Sequence, residues 1–224
     1  LAARSALAGV VALPQSSIGS APLDAGAAAS AAVEGYARFS ESLNTSQLCF
    51  SLVAPHLFAG AAPQPMEVLK GKDILEVGTG RQAQLAQSLV RDHGLDPAKV
   101  HGVDPFLDAS AAAAFPQGNM RSATAESLPR EWDNKFDAVV SFFVFNPEIV
   151  QGDTPGMGTG IDVKAAAQRI SSVLKAGARA VIMTGATGMD PSMQEALEAH
   201  LRPVRSSSTG MYVFEKPARP VGMN

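Results

Sequence analysis

Cysteine occurs once in this 224-residue chain, at Cys49. That excludes an internal disulfide framework and a cysteine-based zinc site, and it fits a reducing compartment. No apolar run approaches the ~18 residues of a membrane span. Lysine and arginine total 18 against 21 acids, a net charge of −3, and the charges are scattered. Without a basic cluster there is no nucleic-acid footprint, and DNA or RNA is disfavoured as a substrate. No internal repeat stands out. The expectation is a cytoplasmic protein with no membrane or nucleic-acid partner. Hydrophobic residues make up 46%, enough for a substantial core, and the length suits one α/β domain with an appendage. The chain begins at Leu1 with LAARSALAGVVALP. That stretch carries little positive charge and a short apolar run, so a truncated leader and a part of the native fold both stay open.

The first 32 residues are rich in Ala, Ser and Gly and read as a loosely held arm. Val33 to Leu57 places Tyr36, Phe39, Leu43, Cys49, Phe50 and Val53 at roughly helical spacing. From Asp73 a regular alternation sets in. DILEV is a buried strand, Gln82 to His93 a helix ended by Gly94, KVHGVD a second strand, and Asp108 to Phe115 a short helix. NMRSA is a weak third strand and FDAVVSFFVF a strong fourth. Val163 to Leu174 is an amphipathic helix, RAVIMTG a strand and Pro191 to His200 a helix. RPVRSSS and GMYVFEK close the chain as an antiparallel hairpin. The pattern predicts an α/β fold: a doubly wound, Rossmann-like, mostly parallel seven-stranded sheet with a C-terminal antiparallel hairpin.

Ligands of such sheets bind beyond the carboxyl ends of the strands. After the first strand come Glu76, Gly78 and Gly80. The glycines allow a close backbone approach and unusual φ/ψ. An acid at Glu76 suits a cationic ligand better than a pyrophosphate, unless the segment is a plain strand-to-helix turn. After the second strand, Asp104 stands 24 residues beyond Gly80, a spacing suited to accepting hydrogen bonds from ribose hydroxyls. The alternative is a turn cap, since Asp-Pro initiates turns. After the third strand, Thr124 and Ala125 offer backbone groups to an adenine, and Glu126 opens a helical turn. After the fourth come Ser141, Phe142 and Phe143. Gln151 to Asp162 follows as a Gly-rich loop, read as a flap over a substrate.

These residues, in this order, resemble the class I S-adenosylmethionine (SAM)-dependent methyltransferases over about Leu69 to Lys216. The resemblance rests on EVGTG at Glu76 to Gly80, on Asp104, ATAESLP and FDAVVS, on RISSVLKAGARAVIM, and on the terminal hairpin. It implies SAM as cofactor and S-adenosylhomocysteine as product. It implies that Gly78 and Gly80 approach the methionine part and that Glu76 supports its ammonium. Asp104 would hold the ribose, Thr124 and Ala125 the adenine, and Ser141 or Phe142 would present a carbonyl to the ammonium. It divides the chain into an N-terminal arm and helical lid, residues 1–65, and a SAM-binding domain, residues 66–224. The chain departs from the family's pattern at Gln82 and Ala178, where glycine is frequent, and at Thr124, where an acid is frequent.

Methyl transfer needs alignment, desolvation and sometimes a base. Candidate bases are His56, Tyr36, Glu148 and Asp162; His56 also reads as a plain helix-end residue. No metal ligand set is expected. The implied activity is methyl transfer to a small, uncharged or mildly polar acceptor, oxygen before nitrogen or carbon. Phe39, Phe50, Phe58, Phe145 and Met157 are candidates for an apolar pocket. A homodimer is an open expectation. Two alternatives remain: a non-catalytic SAM-fold regulatory protein, and an NAD-type dehydrogenase, since GTGRQA formally satisfies G-x-G-x-x-G/A.

Overall fold

The computed structural model describes residues 50, 52–59, 65–152, 160–206 and 210–218. Its centre is a seven-stranded sheet in the order β3-β2-β1-β4-β5-β7-β6. The strands are β1 (Ile74–Val77), β2 (Val100–Val103), β3 (Met120–Arg121), β4 (Phe136–Phe142), β5 (Leu174–Met183), β6 (Arg202–Ser206) and β7 (Met211–Glu215). β1 through β5 pair in parallel, and β7 runs antiparallel between β5 and β6. The doubly wound sheet with a closing hairpin is as the alternation predicts.

Both faces are covered, and side chains of period two sort between them. Ile74, Val100, Ala138, Val140, Val181 and Val213 face one cluster with Leu85, Ala86 and Leu89 of helix α2 (Gln84–Arg91). Leu75, Val77, Val103, Val139, Ala180 and Ile182 face the other. That second cluster also takes residues of α5 (Val163–Val173) and α6 (Pro191–Glu198). The remaining helices are short: α1 (Pro65–Leu69), α3 (Ala109–Ala112) and α4 (Pro147–Val150). Asp96, Asn146, Asp162 and Asp190 accept backbone N–H bonds at helix N-termini, satisfying donors the helices leave open.

β5 is longer than RAVIMTG suggested. It begins at Leu174, paired with Phe136, and the register then slips before Arg179 pairs with Ala138. Gly177 (φ +76) turns the chain within this bulge, its N–H bonding the Lys216 carbonyl. Lys216 Nζ donates to the Leu174 carbonyl at 2.7 Å, so the end of the hairpin fastens the start of β5.

Phe50, Val53, Ala54 and Leu57 pack into the α2-side core, and the segment ends in a 3-10 turn at Ala54–His56. Most of the arm and lid expected over residues 1–65, with Tyr36 and Phe39, lies outside the described residues, as do residues 153–159 of the Gly-rich loop, including Met157. Phe145 is fully buried core, and Phe58 is half-buried against the other cluster. Among the described residues no helix is long and apolar enough to cross a membrane.

Candidate active site

At the carboxyl ends of β1, β2 and β4 the chain leaves a cleft enclosing about 160 Å³. The turn after β1 is stitched to the end of β2. The N–H groups of Gly78 and Thr79 donate to the Val103 carbonyl at 2.8 and 3.1 Å, and Gly80 N–H donates to Asp104 Oδ2 at 3.0 Å. This path needs left-handed backbone at Gly78 (φ +80) and Gly80 (φ +72), which glycine adopts without a Cβ penalty. At Gly78 a second constraint applies, because a Cβ there would overlap Val144 Cγ2.

Glu76 is the last-but-one residue of β1 and only 4% exposed. Burial pushes its carboxyl from 4.5 to about 8, against the pull of a hydrogen bond from Thr79 and with a further push from Asp104. The Thr79 hydroxyl donates to Glu76 Oε2 at 2.7 Å. Gly102, opposite Glu76 in the β1–β2 register, makes room for that hydroxyl. A Cβ there would lie 3.0 Å from Thr79 Oγ1 and 2.7 Å from Met120 S. The motif drew attention to Glu76 and its glycines; Thr79 and Gly102 are the supports it did not reveal.

Asp104 is buried, at 2% exposure. Besides the Gly80 bond, its Oδ1 accepts the Phe106 N–H at 2.9 Å. The turn-cap reading is therefore correct, and it does not exclude a ligand role, because a carboxylate accepts more than two bonds. Thr124 and Ala125 line the cleft beside Glu126. Thr124 and Ser127 close a reciprocal capping box around the turn Ala125–Ser127.

The opposite wall comes from the segment after β4. Phe142, Phe143, Val144 and Ile149 line it, with Gly160 and Ile161 from the return of the Gly-rich loop. Phe143 holds a left-handed φ of +62, sparsely populated for an aromatic residue and characteristic of functional sites. Its N–H donates to the Met183 carbonyl, and its own carbonyl accepts from Asn146 Nδ2 at 3.2 Å.

Of the cofactor-facing residues expected from the sequence, Glu76, Gly78, Gly80, Asp104, Thr124, Ala125 and Phe142 line this one cleft. Ser141 does not. It precedes the strand end with its hydroxyl buried and unpartnered, so the lining passes to Phe142 and Phe143. The base candidates fare differently. His56 is outside the lining: its carbonyl accepts from Arg179 at 3.3 Å, and burial and two arginines lower its pKa. Glu148 is exposed in the first turn of α4 and outside the lining. Asp162 caps α5 through a 3.0 Å bond from Ala165 N–H, the work of a structural cap. Tyr36 lies outside the described residues.

Among the described residues the lining carries three acids, Glu76, Asp104 and Glu126, and no Lys, Arg or His. Glu76, with its carboxyl at about 8, is mainly neutral in the empty cleft at neutral pH, but a lining with acids and no basic side chain offers a pyrophosphate no counter-charge, which argues against the dinucleotide alternative.

Comparisons with known proteins bear on the fold. Residues 75–182 match the family model of a methyltransferase domain. Among solved structures, the chain resembles the 1,6-didemethyltoxoflavin-N1-methyltransferase of Burkholderia thailandensis, bound to 1,6-didemethyltoxoflavin and S-adenosylhomocysteine. Identity is 17% and the TM-score 0.53, over 91% of this chain and 94% of that one. It also matches the 16S rRNA (adenine(1408)-N(1))-methyltransferase from Catenulisporales acidiphilia at 15% identity and a TM-score of 0.45, over 73% and 96% of the two chains. The antibiotic-resistance methyltransferase Kmr matches at 13% and 0.45, over 71% and 98%. No curated protein matches the chain.

Proposed function

We propose, on the premise that this chain is a class I SAM-dependent methyltransferase, that it moves a methyl group to a small, uncharged acceptor held against the wall after β4. When bound, the cofactor supplies an electrophilic methyl group on a sulfonium; the remaining tasks belong to the protein. Gly78 and Gly80 let the backbone pass close to the methionine part. Glu76 stands where a carboxylate meets the ammonium. Asp104 accepts from the ribose hydroxyls, and Ala125 lies beside the adenine. The buried acids favour a positively charged ligand over a neutral one of the same shape.

Phe142, Phe143, Val144, Ile149 and Ile161 give the other wall a dry surface, on which water is excluded and a planar or apolar acceptor is aligned. Among the described residues no His, Lys or Tyr reaches the lining. That favours an acceptor that needs little help from a base, such as an acidic hydroxyl or a ring nitrogen with an available lone pair. Oxygen is the first reading, with nitrogen or carbon as alternatives. A lining whose charged residues, among those described, are all acids is also a poor host for RNA phosphates. Residues 66–224 are read as the SAM-binding domain and residues 1–65 as an arm and lid. The single cysteine and scattered charges support a cytoplasmic setting.

The observation that carries this reading is the convergence of Glu76, Gly78, Gly80, Asp104 and Ala125 on one cleft. Calorimetry with S-adenosylhomocysteine tests it. The wild type should bind, and Asp104→Ala should lose roughly 1–3 kcal/mol through its charge-assisted bonds. Labelled SAM should then transfer its methyl to members of a panel of hydroxylated aromatics and neutral heterocycles, and not to an rRNA fragment. Absence of S-adenosylhomocysteine binding ends the cofactor reading; label in the RNA alone ends the small-molecule reading.

A further inference from the structure

At the end of the sheet away from the cleft, where the strands begin, a second pair of reactive groups meets. His101, the second residue of β2, is fully buried. Its ring meets those of Trp132 and Phe136 edge to face, at 5.4 and 5.1 Å between centroids. Lys135, half-buried beside the start of β4, places Nζ 2.7 Å from His101 Nε2. The other ring nitrogen, Nδ1, is buried and has no hydrogen-bond partner. His101 and Lys135 stand 34 residues apart, so folding alone brings them together. The other lysines are placed differently. Lys70, Lys72, Lys99 and Lys175 lie on carboxylates, Lys216 donates to carbonyls, and Lys164 is exposed. A carboxylate holds an ammonium charged; an imidazole can instead take its proton.

We propose that Lys135 is an acyl-acceptor site, whose amine takes the acyl group of a small thioester while His101 Nε2 receives the proton it sheds. The nitrogen lone pair forms the C–N bond, the C–S bond breaks, and the thiolate leaves with the electron pair. The proton passes from Nζ to Nε2 and on to the thiolate. The products are an amide and a thiol, with nothing oxidised or reduced. The surroundings favour the attacking form of the amine. Burial lowers the Lys135 pKa, Lys99 and Arg121 act in the same direction, and Asp73 and Glu131 oppose them. The centroids of Trp132 and Phe136 each lie 5.8 Å from Nζ, the outer reach of a cation–π contact. The rings therefore exclude water more than they hold the charge. Burial, and then the Lys135 charge, lower His101 to about 4, so the imidazole is neutral and free to accept. As the amine loses its charge the ring becomes a better base, at the step that needs one. A desolvated amine beside cations, with a base in hydrogen-bond reach, is an activated nucleophile.

Neither residue lines the cleft, and the site stands or falls apart from the cofactor reading. The test treats the protein with S-acetyl-N-acetylcysteamine, a small thioester, and follows acetylation of each lysine by peptide mass spectrometry. Lys135 should react at least about tenfold faster than the exposed Lys164, a factor below the usual gain from a positioned base because the amine is half-buried. In concentrated guanidinium chloride the pair is parted, and the two rates should agree within about twofold. His101→Phe keeps the ring packing, and His101→Gln keeps a hydrogen-bond acceptor. Neither supplies a base, and each should lose the excess. A rate at Lys135 no higher than at Lys164 in the folded wild type overturns the site. An excess that survives denaturation belongs to the local sequence, and one that survives in both folded variants belongs to the amine without His101. Either result overturns the proposal. The wild-type rates, folded and denatured, keep the test decisive even where neither variant folds.

Discussion

On the wall of the cleft built from the ends of β1 and β2, polar groups are tied down from several directions. Glu76 takes the Thr79 hydroxyl, Asp104 takes the Gly80 and Phe106 amides, and the Val103 carbonyl takes two amides of the turn. On the wall after β4, the lining is Phe142, Phe143, Val144 and Ile149, and its geometry depends on packing and on one left-handed aromatic residue. The first wall is preorganised before any ligand arrives. The second is shaped by the side chains packed against it, Ile161 among them where the chain re-enters. A cofactor shared by many enzymes can be met by fixed donors and acceptors. An acceptor molecule particular to one enzyme is met by apolar shape.

The two walls touch at Gly78, whose missing Cβ makes room for Val144, and breaking that contact should have the largest effect. Gly78→Ala combines a left-handed alanine with overpacking, together roughly 2–5 kcal/mol. Urea unfolding should show this loss, and S-adenosylhomocysteine binding should disappear from calorimetry. Gly80→Ala is the control. Its φ is +72 but nothing lies within 4 Å of the added Cβ, so only the backbone cost of about 1–2 kcal/mol remains. Equal losses in the two variants would mean that the walls are not coupled at this point.

A second test separates the charged wall from the rest of the sheet by pH. The Glu76 carboxyl is raised to about 8 from 4.5. A raised folded pKa contributes stability that is fully present below 4.5 and is lost as pH climbs through 8. His101, on the neighbouring strand and the opposite face, is lowered from 6.5 to about 4, chiefly by burial and then by Lys135. Its contribution is present above 6.5 and lost as pH falls toward 4. The two slopes oppose each other below 6.5, which leaves pH 6.5–8 to Glu76. Across that window the wild type should lose roughly 2 kcal/mol, and Glu76→Gln should remove the decline. A decline that survives in Glu76→Gln would show that another group carries it. A cationic ligand favours the ionised carboxylate, so cofactor binding should strengthen over the same range in the wild type.

What the sequence disclosed follows the same division. Glu76, Gly78, Gly80 and Asp104 were legible because backbone geometry restricts which residues can stand there: glycine at positive φ, a carboxylate beside exposed amides. β1, β2, β4 and β5 were legible from apolar runs between turn residues; β3 and β6, MR and RPVRS, have no such run and were legible only from their place in the alternation and the closing hairpin. The bulge that starts β5 at Leu174 was not, because the segment reads as loop until Lys216 fastens it from the far end of the chain. The wall after β4 was legible only in part, through Phe142 and its place after the strand. Phe142 and Phe143 differ from Phe145 in no local property, yet two line the cleft and one is fully buried. His56 and Asp162 were candidates by residue type, yet neither lines the cleft, and Asp162 caps α5.

Gln82 gives the smallest expected effect and corrects an emphasis taken from the family's pattern. A glycine is frequent at this place, and the chain departs from the pattern here. The positive φ in this turn falls instead at Gly78, Gly80 and Ala83, the last at +48, so position 82 needs no glycine. The Gln82 side chain is exposed and donates to Asp108 Oδ2 at 2.6 Å, beside the Arg81–Asp108 ion pair. Exposed bonds of this kind contribute little, commonly below about 1 kcal/mol. Gln82→Gly should therefore change S-adenosylhomocysteine affinity by less than about threefold. A gain of tenfold or more would mean that the side chain obstructs the ligand, and that the preorganised wall is less complete than its hydrogen bonds imply.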